Sequence, residues 1–136
     1  SFNVPAEQMV QYYDSLWVIP GDLHSNGRLC LGENLADHGG LNIAFKALKI
    51  AEEQNGKLPV ENGFTPEQRF FLSYANVWAG VSTEEILRRY TLIDVHSASH
   101  LRVNGGVAQC NAWYEAFNIQ PGDALYVAPE NRVNIW

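Results

Sequence analysis

Two carboxylates one helical turn apart are the first feature of the sequence that could do chemistry. Glu33 and Asp37 lie in the stretch LGENLADHGG at positions i and i+4, so on a helix their Cβ atoms would be about 5–6 Å apart. The ordinary explanation of such a pair is an exposed acidic first turn that favours the helix dipole. The residues that follow are too apolar for a surface helix, however, and a buried pair of carboxylates must be neutralised by a cation, a metal ion or protonation.

A polar stretch near residue 100 carries the second set of reactive side chains. In DVHSASHLR, Asp94 lies two residues before His96 and could fix its tautomer, and Arg102 could bind a carboxylate through two hydrogen bonds. Taken alone, a histidine in a polar loop is an ordinary residue. His38 points to another helix face than Glu33, so it is a poor co-ligand for that carboxylate.

Composition limits the classes of function that the chain can have. Its 136 residues and 46% hydrophobic content suit one domain or part of one. There are 9 Lys+Arg against 15 Asp+Glu, the net charge is -6 and no basic stripe occurs, which excludes a nucleic-acid partner. No apolar run approaches the roughly 18–20 residues that span a bilayer, so no membrane contact is predicted from this segment.

The two cysteines, Cys30 and Cys110, are far apart and form no CxxC or CxxH arrangement. This spacing argues against a disulfide framework and against a thiolate zinc site. Either both are buried free thiols, which is the simpler interpretation, or they form one long-range disulfide.

The elements that must position these groups are predicted to be helices. Apolar periodicity and capping residues such as Thr65 and Gln68 indicate helices over residues 5–16, 33–54, 65–80 and 82–90. Residues 17–31 are predicted to form a loop or short hairpin, because Pro-Gly and Asn-Gly are turn signals. A shaped loop is expected from residue 94, followed by a short helix over 108–117. The fold class is therefore mainly α, in one compact unit with little or no sheet.

Four ordered blocks of the sequence resemble motifs of the neprilysin family of zinc metallopeptidases. LGENLADHGG is similar to the family motif GENxADxGG, and DVHSASHLRVNG to DxHSPxxxRxxG. The first of these blocks extends upstream, where HSNGRLCLGEN is similar to HxNGxxTLGEN. FFLSYANVWAG is similar to FFLxxAxxWxG, and the closing ENRVNIW to the end of bacterial members. The resemblance covers nearly the whole chain. Two positions depart from it: Cys30 stands where threonine is usual, and Ala98 replaces a proline, which is expected to loosen the loop presenting His96.

The resemblance implies a fold and a role for each candidate residue. Residues 1–136 would be the C-terminal segment of a thermolysin-like catalytic lobe. By the family pattern, Glu33 is the third zinc ligand, and Asp37 holds a histidine that is another ligand. His96, oriented by Asp94, would stabilise the tetrahedral intermediate, and Arg102 would bind a backbone carbonyl of the peptide substrate.

The family's other two zinc ligands and its general base lie in an HExxH helix, and no HExxH occurs in these 136 residues. The resemblance therefore implies that the N-terminal remainder of the same polypeptide supplies this helix. One Zn2+ is expected per intact enzyme, this segment alone is not expected to hold it, and the isolated segment is expected to be inactive. The glycine pair Gly39-Gly40 is hypothesised to leave room for that helix. Without it, the apolar 33–54 helix would be partly exposed, and the isolated piece is expected to associate.

By resemblance the substrates are oligopeptides, cut before a large apolar residue. The expected location is periplasmic, cell-envelope or secreted, and a cytoplasmic location stays open. The alternative hypothesis is a non-catalytic helical peptide-binding or interaction module, in which Arg102 still recognises a peptide and Glu33 is a vestige. An HExxH helix upstream of Ser1 would favour the enzyme, and its absence would favour the module.

Overall fold

The computed structural model describes residues 3–135, and these residues are mostly helical. The elements are α1 (Asn3–Asp14), β1 (Trp17–Ile19), β2 (Leu23–His24), α2 (Leu31–Asn55), α3 (Pro66–Val77), α4 (Glu84–Ile93), α5 (Ser99–Val107), α6 (Asn111–Phe117) and a 3-10 turn at Pro129–Asn131. The two short strands form an antiparallel hairpin. The prediction of a mainly α fold with little sheet is confirmed.

The predicted caps are present at the starts of α3 and α4. The Thr65 hydroxyl accepts a hydrogen bond from the Gln68 backbone N–H, while the Gln68 side chain accepts one from the Thr65 N–H. Thr83 accepts from the backbone N–H of Ile86. These bonds satisfy backbone amides that have no partner within the helix. The observed starts of α3 and α4 lie within one or two residues of the predicted starts.

The prediction of a loop from residue 94 to the helix over 108–117 is wrong after residue 98, because residues 99–107 form α5. Gly105 and Gly106 suggested a break in the chain, but they lie within the helix. A Cβ atom on Gly105 would lie 3.0 Å from both Leu16 Cδ1 and the Tyr13 hydroxyl. The glycine therefore allows α5 to pack closely against α1, a tertiary requirement that outweighs its poor helix propensity.

Two apolar clusters form the core, and α5 contributes to both. The first joins α1, the hairpin, α5 and the C-terminal tail through Met9, Tyr13, Val18, Leu101 and Val133. The second joins α2, α3 and α5 with the residue that precedes α6, through Leu41, Phe71, Val107 and Cys110. Leu101 and Val107 are on the same helix, so α5 packs against both clusters. This packing fixes the position of the other side chains of α5.

Gly27 fixes the loop that leads into α2. A Cβ atom there would lie 2.2 Å from the Val10 carbonyl oxygen, a backbone atom that cannot move aside. The Gly27 N–H also donates a 2.7 Å hydrogen bond to Asp14. The loop thus packs directly on α1, and this contact sets where α2 begins.

One side of α2 is uncovered by the described residues. Within residues 3–135 this apolar helix is partly exposed, as expected for the segment without the HExxH helix: Ile43 is 65% and Ile50 is 44% exposed. An apolar groove of about 330 Å³ runs between α2 and α3, with Gly40 and Phe70 among its lining residues. The expected association of the isolated piece stays a prediction.

Both cysteines, Cys30 and Cys110, are buried and free, which confirms the simpler of the two interpretations.

Among residues 3–135, no helix combines the length and the apolar character needed to cross a membrane.

Candidate functional site

Three of the predicted site residues lie side by side. Glu33 is in the first turn of α2, Asp94 caps the end of α4, and His96 follows in the loop before α5. The His96 ring Nδ1–H and backbone N–H both donate to Asp94 Oδ1, at 2.7 and 2.9 Å. These bonds lower the pKa of Asp94. They also direct His96 Nε2 towards Glu33, whose Oε2 lies 3.5 Å away.

The loop around His96 keeps its shape although the usual proline is missing. Ala98 has φ -54° and ψ 143°, values that a proline also adopts. Its carbonyl accepts hydrogen bonds from Leu101 and Arg102 at the start of α5. The backbone at Ala98 therefore has the conformation that a proline would give it, and the expected loosening is not seen there.

The other two predicted residues, Asp37 and Arg102, pair with each other. Arg102 Nε and NH2 donate to the two oxygens of Asp37 at 2.6 and 2.7 Å, and the side chains are only 13% and 14% exposed. The Asp37 carboxylate raises the pKa of Arg102. A planar guanidinium held by two hydrogen bonds has a fixed orientation, so Arg102 is a rigid group at this site.

Trp78 and Tyr74 complete the surroundings of Arg102, and sequence reasoning did not single them out. The guanidinium carbon lies 3.7 Å from the centroid of the Trp78 ring, and the Tyr74 hydroxyl donates to the Arg102 carbonyl at 3.0 Å. Both belong to the FFLSYANVWAG block. Their position in a matched motif was the only signal that could have identified them.

A cleft opens beside His96. Its volume is about 320 Å³, at the lower end of the range typical of ligand sites. The hairpin contributes Val18, α4 contributes Leu87 and Tyr90, and Arg102 lies on the α5 side. The cleft thus joins apolar walls to a histidine and a guanidinium, a combination suited to a peptide.

Within residues 3–135, no cluster of three or more His, Cys, Asp or Glu side chains is placed to hold a metal ion. Glu33 is nevertheless suited to be one ligand of a larger set. Its side chain is 43% exposed, and its described ion-pair contact is the 3.5 Å approach of His96, so the carboxylate is accessible. A metal site that includes Glu33 must therefore take at least one further ligand from outside the described residues.

The chain matches the model of peptidase family M13 over residues 1–133. It is 36% identical to neprilysin-1 of Caenorhabditis elegans, in an alignment that covers 99% of this chain and 18% of that protein. It is also 36% identical to endothelin-converting enzyme 1 of Mus musculus, over 100% of this chain and 17% of that protein. The chain therefore belongs to peptidase family M13, a family of zinc metallopeptidases, and the resemblance to the neprilysin family is confirmed.

Solved structures agree with this assignment. The Mycobacterium tuberculosis zinc metalloprotease Zmp1 in complex with an inhibitor superposes with a TM-score of 0.93 at 34% identity, over 99% of this chain and 21% of that one. PepO from Lactobacillus rhamnosis superposes with a TM-score of 0.80 at 33% identity, over 99% and 20%. The chain thus spans about a fifth of the length of the proteins that it matches.

Proposed function

We propose that this chain is the C-terminal part of the catalytic domain of a zinc-dependent endopeptidase that hydrolyses oligopeptides. The observation that carries the proposal is the grouping of Glu33 with His96 and Asp94, the last two of which line a cleft, in a chain that belongs to a zinc peptidase family. An HExxH helix in the N-terminal remainder of the same polypeptide supplies the general base and two zinc ligands.

Glu33 is the ligand that this chain gives to zinc. Its accessible carboxylate lies at the start of α2, next to the cleft. When bound, zinc polarises the peptide carbonyl and lowers the pKa of a bound water molecule. With one ligand in the described residues instead of the usual three, the isolated chain binds zinc weakly and is inactive.

His96 donates a hydrogen bond to the oxygen on which negative charge develops during attack on the peptide bond. Asp94 accepts from Nδ1 and so holds the ring with Nε2 towards Glu33. Such a preorganised donor contributes most when its position is fixed before the substrate binds.

Arg102 and Asp37 keep capacity for further partners while they are paired. A guanidinium has five N–H donors, and Asp37 uses two of them, so Arg102 still offers N–H groups to a substrate carbonyl. Each carboxylate oxygen of Asp37 accepts one hydrogen bond from Arg102 and has a second lone pair, which suits an imidazole N–H from the HExxH helix. The ion pair thus connects Arg102, proposed to bind the substrate, with Asp37, proposed to hold a histidine that binds zinc.

The uncovered groove between α2 and α3 supports the idea that a missing helix packs here. Its lining includes Asp37, the residue proposed to support a zinc-ligating histidine, and Gly40, where an added Cβ would meet nothing within 4 Å among the described residues. The location of the enzyme, in the periplasm, in the cell envelope or outside the cell, is part of the same proposal by resemblance.

The test uses the intact polypeptide and an oligopeptide that contains a large apolar residue. We expect hydrolysis to stop after removal of zinc with 1,10-phenanthroline and to return when zinc is added. His96→Gln should lower kcat by about 100-fold to 1,000-fold, the cost typical of losing one donor to the developing charge. His100→Gln, a change at an exposed histidine of the same region, should leave kcat unchanged. Hydrolysis that persists without zinc, or a fully active His96→Gln variant, would overturn the proposal.

A further inference from the structure

The loop that carries His96 is tied to α2 by a buried hydrogen bond. Ser97, the residue after His96, donates from its hydroxyl to Asn34 Oδ1 at 2.8 Å, and Asn34 is the residue after Glu33. Asn34 is 2% and Ser97 is 7% exposed, so water does not compete for this bond. The bond therefore joins the two segments that carry the proposed zinc ligand and the proposed hydrogen-bond donor.

A second contact attaches the other end of the same loop. The Cys30 thiol, at the residue before α2, lies 3.7 Å from the Asp94 carbonyl oxygen. Burial raises the pKa of Cys30, so the sulfur keeps its proton and donates. Such S–H donors are weak. The stronger attachment of the loop to α2 is thus the one made by Asn34 and Ser97.

The other contacts of the loop hold its two ends rather than its distance from α2: Ala98 packs against the first apolar cluster, and Asp94 bonds within the loop to His96. None of the residues of α4, which precedes the loop and is described throughout, is buried. Val95 is 46% exposed and gives the loop no apolar anchor. A loop between a loosely packed helix and α5 can shift by a fraction of an ångström unless a specific bond fixes it, and catalysis is sensitive to such shifts.

We infer that Asn34 and Ser97 are positioning residues, whose hydrogen bond fixes His96 relative to Glu33. This inference rests on the proposed function, because it assigns a purpose to the 3.5 Å separation of His96 Nε2 and Glu33 Oε2. Neither residue is proposed to contact the reacting atoms. Both act by placing the residue that precedes them in the sequence.

The first test compares Ser97 variants in the intact, zinc-loaded polypeptide. Ser97→Ala should lower kcat by about 10-fold to 100-fold, the usual effect of losing a group that orients a catalytic residue. KM and the zinc content should change by less than about twofold, because neither the metal ligand nor Arg102 is altered. Ser97→Thr keeps the hydroxyl, and the cleft beside it has room for the extra methyl group, so kcat should return to within about threefold of the wild type.

A matched control separates positioning from general stability. Tyr114 donates a buried hydrogen bond of the same length, 2.8 Å, to the Ala108 carbonyl, in α6 and away from the site. Tyr114→Phe should lower the unfolding temperature and leave kcat unchanged. If Ser97→Ala does not fold, Ser97→Cys replaces it, because a thiol fills the site but donates weakly, and its kcat should be clearly below that of Ser97→Thr.

The second test is a double-mutant cycle. Asn34→Ala should lower kcat about as much as Ser97→Ala, because both changes remove the same hydrogen bond. For the same reason the double variant should be no more than about twofold slower than the slower single variant. If the loss of kcat in the double variant equals the product of the two single losses, the inference is wrong. It is also wrong if the wild type is active and neither Ser97→Ala nor Ser97→Cys lowers kcat. Both outcomes leave the proposed function standing. A wild type without zinc-dependent hydrolysis would overturn the proposed function and this inference with it.

Discussion

The pair of Asp37 and Arg102 allows a quantitative prediction about how α2 and α5 are held together. Asp37→Asn keeps the shape of the side chain but removes its charge, and so leaves a guanidinium that is only 13% exposed without a counter-ion. Removing one partner of a buried ion pair costs about 3–5 kcal/mol. The amide oxygen still accepts one hydrogen bond, worth roughly 1 kcal/mol. We therefore expect a loss of about 2–4 kcal/mol in the free energy of unfolding.

The assay is urea unfolding of the intact polypeptide after removal of zinc, so that altered metal binding does not contribute. Asp22→Asn is the matched control. Asp22 pairs with Arg88 through side chains that are 50% and 45% exposed, where solvent and salt screen the charges, and no measurable change is expected. Equal losses in the two variants, or no loss in Asp37→Asn, would refute the argument that burial decides the strength of these pairs.

Three further changes test other parts of the structure. Ala98→Pro should raise the free energy of unfolding by about 0.4–1 kcal/mol, because the backbone already has the conformation of proline; a lower urea midpoint would contradict this. Burial lowers the pKa of His38, so the unfolded chain takes up the proton first, and stability is lost as the pH falls below about 6.5. The His38→Gln variant should therefore lose less stability than the wild type between about pH 7.5 and pH 5.5. Equal losses of stability in the two proteins would contradict this role of His38. Gly40→Ala should destabilise the intact polypeptide if a helix fills the groove, whereas an open groove predicts a gain of about 0.5–1 kcal/mol.

Local signals predicted most of the fold. The capping box of Thr65 and Gln68 and the periodicity of α1 and α2 depend on residues a few positions apart, which a single sequence displays. The helix α5 was missed because its glycine pair suggested a break in the chain, whereas Gly105 packs against Tyr13, a contact between residues far apart in the chain. A glycine that allows close packing and a glycine that ends a helix look the same in a sequence.

Sequence reasoning named the candidate site residues but predicted only part of their arrangement. The spacing of Asp94 and His96 implied their hydrogen bond, and the structure contains it. The pairing of Asp37 with Arg102 spans 65 positions, and the resemblance had given each residue a different partner. Both carboxylate and guanidinium can bind several groups at once, so the motif alone could not specify this contact.

The zinc content of the intact polypeptide measures whether Glu33 is a metal ligand. We expect about one zinc ion per molecule in the wild type and almost none in Glu33→Gln, because two remaining protein ligands hold zinc poorly. Glu53→Gln, a change at an exposed carboxylate on the same helix, should keep the wild-type content. A Glu33→Gln variant that retains as much zinc as the wild type would contradict the assignment of Glu33 as a metal ligand.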